Sequence, residues 1–249
     1  MLVTDPWFYV TAIPAVLIYG IGKGGLGGAL GIIAVPMMAI VISPTQAAAI
    51  LLPILCVMDM FAVKQHHTSA DYSVLKRMLP GSLLGVFLAG LFLSIMPAAG
   101  LKLLVGGLSL LFCLQYVSQR GATQRPAGLA GAWWWSLLSG FSSTAIHAGG
   151  GPASIYLLPL KLEKVALIST MALLFAIINL FKLVPYTVLG EFNTINLMTA
   201  LLLMPLAPVG VYMGVGLLHR VSQIWVYRLC YLFLLLSGIK LFADGWLSK

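Results

Sequence analysis

Four ionisable side chains lie inside apolar runs of this 249-residue sequence, namely Lys23, Asp59, His147 and Lys182. Ionisable residues at membrane depth are costly, and they usually mark a route for ions, protons or substrates. Lys182 has Asn179 three residues earlier, so the two side chains share one helical face. We predict that this pair neutralises and orients a small anion.

His147 and Lys23 each have two interpretations. His147 could donate to an anion or carry a proton near neutral pH, or it could be a core histidine with satisfied hydrogen bonds. Lys23 stands between Gly22 and Gly24. It is either an anion ligand or a lysine whose ammonium group reaches the membrane interface.

Asp59 and Lys64 are candidates for proton or charge coupling. Asp59 could relay protons or balance a lysine from another segment. It lies five residues before Lys64, roughly 140° around a helix, so the two do not pair locally. Lys64 borders a polar loop, which favours solvation at the interface.

Glycine-rich breaks interrupt two apolar stretches. The first reads GIGKGGLGGALGIIAVP, from Gly20 to Pro36, and the second reads HAGGGPASIYLLP, from His147 to Pro159. Unpaired backbone groups are costly in lipid, so such breaks must line a cavity or pack within protein. We predict packing at Gly20 and, elsewhere, backbone N–H groups that hold an oxyanion. The predicted oxyanion-binding glycines are Gly24, Gly25, Gly27, Gly28, Gly149, Gly150 and Gly151.

The composition admits only a polytopic helical membrane protein. The chain is 61% hydrophobic and 8% charged, with a mean hydropathy of +1.04, whereas a soluble domain has about a quarter charged residues. The net charge of +8 is typical of cytoplasmic loops that follow the positive-inside rule. It does not indicate nucleic-acid binding, because no basic patch with interleaved aromatics accompanies it. We expect no metal and no cofactor.

The second half of the sequence repeats the first. LPGSLLGVFLAG, from Leu79 to Gly90, aligns with MPLAPVGVYMGV, from Met204 to Val215. In the same way, Lys64 aligns with Lys182. We therefore predict a first transmembrane repeat over 1–118, a cytoplasmic linker over 119–129 and a second repeat over 130–249.

The topology has two alternatives. The fold class is all-α with about eight transmembrane segments, two of them broken or re-entrant at the glycine motifs. Each broken stretch is too long for one upright span and short for two. A re-entrant hairpin would give an inverted repeat, and one tilted crossing would give parallel halves. The segment lengths favour the inverted repeat.

The glycine-proline text GGLGGALGIIAVPMMAIVISPTQAAAI and its echo GGGPASIYLLP resemble the sulfite exporter TauE/SafE family over essentially the whole chain. This resemblance implies a permease that exports sulfite, sulfonates or related small sulfur anions without ATP. Assigned by position, the family's glycine-proline motif falls on the seven predicted oxyanion-binding glycines and on Pro36 and Pro152. The family's basic residue falls on Lys64 and Lys182. The sequence departs from the family pattern at Lys23 and His147, and either departure could indicate a different anion.

We predict a secondary carrier of the bacterial inner membrane that moves small sulfur oxyanions and is not an enzyme. Its partners would be the anionic substrate and the lipid bilayer, not nucleic acid, and a homodimer is left open. One alternative is the same architecture with an organic or lipid-linked anion as cargo. The other is an intramembrane enzyme with His147 and Asp59 as acid and base, which would need these two side chains within hydrogen-bond reach.

Overall fold

The computed structural model describes residues 2–25, 29–66, 69–118, 128–217 and 223–248. The structure is 87% helix, and no strand occurs among the described residues. Two short 3₁₀-helices, Ala29–Ile33 and Leu158–Leu160, accompany the α-helices. In chain order these are α1 (Pro6–Gly25), α2 (Ala34–Met38), α3 (Pro44–His66), α4 (Tyr72–Ile95), α5 (Ala98–Ser118), α6 (Leu129–Ile146), α7 (Gly150–Leu157), α8 (Lys164–Val188), α9 (Thr194–Leu203), α10 (Leu206–Leu217) and α11 (Gln223–Leu247).

Helices α1, α3, α4 and α8 are long and apolar enough to cross a membrane, and α9 with α10 makes a fifth span if the bent pair counts as one. Twenty helical residues extend about 30 Å, the thickness of the hydrocarbon layer. The predicted class, an all-α membrane protein, is confirmed. The total of about eight segments stays a prediction, as does the division into repeats, because most of the linker, 119–127, lies outside the described residues.

Helices α9 and α10 form a bent pair, with 41° between them. Pro205 lies at the bend and Pro208 follows within one turn, so two backbone N–H donors are missing close together. The aligned proline of the first half, Pro80, lies inside the unbroken α4. Helix α4 therefore accommodates its one proline, whereas the two close prolines of the second half interrupt the helix.

Both glycine-broken stretches fold back on themselves. After α1, the chain returns along it, so that Gly31 lies against the Tyr19 ring and Leu30 lies against Gly22. After α6, the Ser139 hydroxyl donates to the Gly149 carbonyl at 2.8 Å. Each stretch is therefore a long helix followed by a short helical return.

Helices α3 and α8 run antiparallel to each other. His147 contacts Ala48, early in α3, and also Lys182, late in α8. At the other end, Ala62 of α3 lines a cavity with Ile168 of α8. Residues Ala47 to Leu52 of α3 are at most 1% exposed, so this helix passes through the protein core.

Helices α5 and α11 are also antiparallel. Gly245, near the end of α11, packs against Leu103, early in α5. The Cys113 thiol, late in α5, donates to the carbonyl of Tyr231, early in α11, at 3.5 Å. Two pairs of corresponding helices are thus antiparallel.

Two further helix contacts have glycine on both sides. Helix α1 packs on α10 at Gly20 and Gly210, and α4 packs on α6 at Gly85 and Gly140. Small residues let helix backbones approach closely where no hydrophobic force drives them together. The predicted packing role of Gly20 is confirmed.

Replacing Gly20 with alanine is expected to destabilise the protein by about 1–3 kcal/mol, the usual cost of overpacking. The new Cβ would lie 2.8 Å from the Gly210 Cα, and backbone cannot move aside as a side chain can. Gly216→Ala is the matched control, because nothing lies within 4 Å of its added Cβ. Thermal unfolding in detergent, followed by tryptophan fluorescence, should separate the two; equal midpoints would contradict the packing assignment.

Candidate functional site

A buried ion pair joins the first glycine-broken stretch to α3. Lys23, in the last turn of α1, pairs with Asp59 of α3, and both are less than 10% exposed. The second carboxylate oxygen of Asp59 accepts a hydrogen bond from the Asn179 side-chain amide of α8 at 2.6 Å. Asp59 therefore balances a lysine from another segment, one of the two roles predicted for it.

Lys182 lies at the centre of a second buried group. Its Nζ is 2.7 Å from His147 Nδ1, 3.0 Å from the Ser143 carbonyl oxygen and 3.1 Å from the Ser143 hydroxyl. The side chain is fully buried. Asn179 and Lys182 share a helical face, as predicted, but they bind different partners.

The hydrogen bonds of His147 fix its protonation. Its Nε2 is 2.9 Å from the carbonyl oxygen of Ala48, which can only accept, so Nε2 carries a proton. Its Nδ1 lies against Lys182 Nζ, and in the neutral ring it accepts from that nitrogen. With Nε2–H bound to Ala48, His147 can thus orient Lys182 through Nδ1.

The backbone of His147 is strained and held in place by its neighbours. The residue ends α6 in the left-handed region, with φ of 54°. Such a conformation is uncommon for residues other than glycine and clusters at functional sites. The Tyr19 hydroxyl donates to the His147 carbonyl at 3.0 Å, and the two ring hydrogen bonds hold the side chain.

Two tyrosines connect these groups, and the sequence reasoning missed both. Tyr19 lies one turn before Lys23, whose Nζ is 5.8 Å from the tyrosine ring centroid. Tyr186 lies one turn after Lys182, and its hydroxyl donates to the Thr144 carbonyl at 2.6 Å. The sequence does contain a signal for these tyrosines. Each lies four residues from a lysine within an apolar run, and residues four apart share a helical face.

A cavity of about 20 Å³ lies beside the ion pair and has room for roughly one water molecule. Its lining comes from both halves and includes Tyr19, Lys23, Asp59 and Gly150. A sulfur oxyanion has several heavy atoms and would not fit. Binding one therefore requires helices or side chains to move apart.

The predicted oxyanion-binding glycines occupy different surroundings. Gly150 lines the cavity, and Gly149 accepts from Ser139. Gly151 packs against the Phe112 ring, and Gly24 packs against the α10 backbone at Val211. Gly25 is the buried last residue of α1. Gly27 and Gly28 lie outside the described residues, and the anion-binding role of all seven stays a prediction.

Lys64 lies apart from the buried groups. It is exposed near the end of α3 and borders, with Asp59, a hollow of about 410 Å³ between α3 and α8. This placement agrees with solvation at the interface. Its predicted coupling role stays a prediction.

An acid–base pair of His147 and Asp59 is not formed. The ring nitrogens of His147 face Lys182 and Ala48, and the carboxylate of Asp59 binds Lys23 and Asn179. Within the described ranges, no group of three or more His, Cys, Asp or Glu is arranged to hold a metal ion. The buried charged side chains of the described residues are two lysines and one carboxylate.

A scan against protein-family models matches the chain to "Sulfite exporter TauE/SafE" over residues 12–241. Searches of curated proteins and of solved structures returned no match. The matched region contains both glycine breaks and all the buried charged residues described above.

Proposed function

Because the chain belongs to the sulfite exporter TauE/SafE family, a family of multi-pass membrane transporters, we propose that it is a carrier of small sulfur oxyanions. It would export sulfite, a sulfonate or a related anion across the bacterial inner membrane without ATP. The observation that carries this proposal is the pair of buried lysines, Lys23 and Lys182, at the contact between the two halves.

Lys182 is the stronger indication of an anionic substrate. Its contacts, His147 and Ser143, are neutral, whereas Lys23 has a carboxylate partner. A buried cation without a counter-ion is costly and is retained where it serves a function. A substrate oxyanion would supply the missing charge.

The architecture supports transport by alternating access. Secondary carriers are commonly built from inverted repeats with interrupted helices, and the substrate binds between them. Here the corresponding helices α3 and α8 are antiparallel, the glycine breaks fold back, and the buried charges lie between the halves. We therefore propose the inverted arrangement.

The test is uptake of freshly prepared radiolabelled sulfite by proteoliposomes. The wild-type carrier is expected to show flux above that of empty liposomes. Lys182→Ala should reduce this flux at least about tenfold, since a hydrogen bond to a charged group contributes roughly 1.5–3 kcal/mol.

Lys76→Gln is the control for loss of a positive charge. Lys76 lies near the start of α4 and is exposed, so its removal should leave the flux unchanged. Absence of anion-dependent flux in the wild type would refute the proposed function. Sulfite flux at the wild-type rate in Lys182→Ala would refute the assignment of Lys182 to the anion site.

A further inference from the structure

The buried charges do not balance. Among the residues whose burial is described, the buried side chains with a formal charge are Lys23, Lys182 and Asp59. His147 adds none as a neutral imidazole, the form in which Nε2–H donates to Ala48 and Nδ1 accepts from Lys182. With both lysines protonated, two positive charges face one carboxylate, which leaves one positive charge.

Lys182 has the surroundings of an ammonium group. Three acceptors stand within 3.1 Å of its Nζ: His147 Nδ1, the Ser143 carbonyl oxygen and the Ser143 hydroxyl. This matches the three N–H donors of a protonated lysine. The three acceptors are uncharged, so they orient the cation without neutralising it.

The surplus charge and the ion pair are close enough to act as one site. Asn179, which binds Asp59, lies one turn before Lys182 on α8. Tyr19 joins the two groups on the other side, because its ring lies near Lys23 and its hydroxyl binds the His147 carbonyl.

The other ionisable groups near the site do not change this balance. Tyr19 and Tyr186 donate their hydroxyl protons to carbonyl oxygens, so both are neutral. Cys56, on α3, is a free thiol. Lys64, near the end of α3, is exposed, so its charge is not among the buried ones.

We propose that the site takes a monovalent oxyanion, such as hydrogensulfite or the –SO₃⁻ group of a sulfonate, and that Asp59 sets this valence. This inference rests on the proposed function and adds the substrate's charge. With one monovalent anion bound, two lysines face two negative charges and the buried site is neutral. A dianion would leave an excess negative charge in a medium that solvates it poorly.

The wild-type test compares two tetrahedral anions that differ mainly in charge. Methanesulfonate is monovalent, and sulfate is divalent at neutral pH. Proteoliposome uptake of each labelled anion is measured at equal concentration, with sulfite as the reference. We expect methanesulfonate flux to exceed sulfate flux by at least about tenfold.

Charge variants test the role of Asp59. Asp59→Asn keeps the shape and leaves two positive charges, so the preference should shift to sulfate. Lys23→Gln leaves the site with no net positive charge, so the flux of both anions should fall. Combining Lys23→Gln with Asp59→Asn restores one positive charge and should restore the preference for methanesulfonate.

The outcomes separate the two proposals. If the wild type moves no sulfur oxyanion, the proposed function fails. If it moves sulfate as well as methanesulfonate, or if a folded Asp59→Asn carrier keeps the wild-type preference, only the valence inference is overturned. The wild-type comparison decides this even if a variant does not fold.

Discussion

Replacing Asp59 with leucine is expected to lower the free energy of unfolding by about 3–5 kcal/mol, because the change leaves Lys23 buried without its counter-ion. The Asn179 amide also loses its acceptor. Unfolding in mixed micelles, followed by tryptophan fluorescence, measures the effect.

The matched control is the exposed ion pair of α11. Lys240 and Asp244 are 3.3 Å apart, with side chains 48% and 39% exposed. Asp244→Leu should cost less than about 1 kcal/mol, the range for exposed pairs. Equal losses of unfolding free energy for Asp59→Leu and Asp244→Leu would contradict the claim that Lys23 and Asp59 form a buried ion pair.

The double variant separates charge from packing. Lys23→Met together with Asp59→Leu removes both charges, and apolar replacements of buried pairs are often neutral or stabilising. We expect the double variant to recover most of the lost stability. A double variant as unstable as Asp59→Leu alone would mean that the shape of the pair matters more than its charge.

Long apolar runs indicate membrane helices because run length is a local property. The apolar runs at 45–63, 78–96 and 165–189 lie within or closely match α3, α4 and α8. The close spacing of Pro205 and Pro208 is the local signal for the bend between α9 and α10. Length alone could not decide between a hairpin and a tilted crossing, because that depends on packing between distant segments.

The candidate site was predicted as a set of residues but not as a set of partners. Lys23, Asp59, His147, Asn179 and Lys182 were each singled out, because a polar residue in an apolar run is a local signal. Which lysine Asp59 would pair with depends on how α1 lies against α3. The link through Tyr19 depends on the same contact, so no sequence pattern fixed it.

Two hydrogen bonds lie at opposite ends of the α3–α8 pair. At the start of α3, the Gln46 amide donates to the Asn196 side-chain oxygen at 3.1 Å. Near the start of α8, the Asp71 backbone N–H donates to the Thr170 hydroxyl at 2.9 Å. Extending the repeat alignment upstream of Leu79 and Met204 places Asp71 on Asn196.

These contacts enclose the buried charges. Because α3 and α8 are antiparallel, the start of α8 lies beside the end of α3, about 30 Å from Gln46 by helical rise. Asp59 and Asn179 lie between the two ends, beside a cavity too small for an oxyanion. Each contact joins the two halves on one side of the site, as expected of a gate in an alternating-access carrier.

Locking either gate is expected to reduce anion flux to that of empty liposomes. In a cysteine-free background, Asp71→Cys with Thr170→Cys is joined by a short bis-methanethiosulfonate reagent, because the native contact is made by the Asp71 backbone N–H and not by its side chain. Gln46→Cys with Asn196→Cys is joined by a longer reagent of the same kind, because two long side chains span that gap. Both links are disulfides and can be reduced. Flux is measured before cross-linking, after it and after reduction, and reduction should restore the flux.

Single-cysteine variants treated identically control for modification without a bridge, and they should transport at the rate of the cysteine-free background. A carrier locked at one end that still transports at that rate would show that the contact does not open during transport. Loss of flux at both ends requires that each side of the site open in turn, which is the behaviour that two inverted halves around one buried site provide.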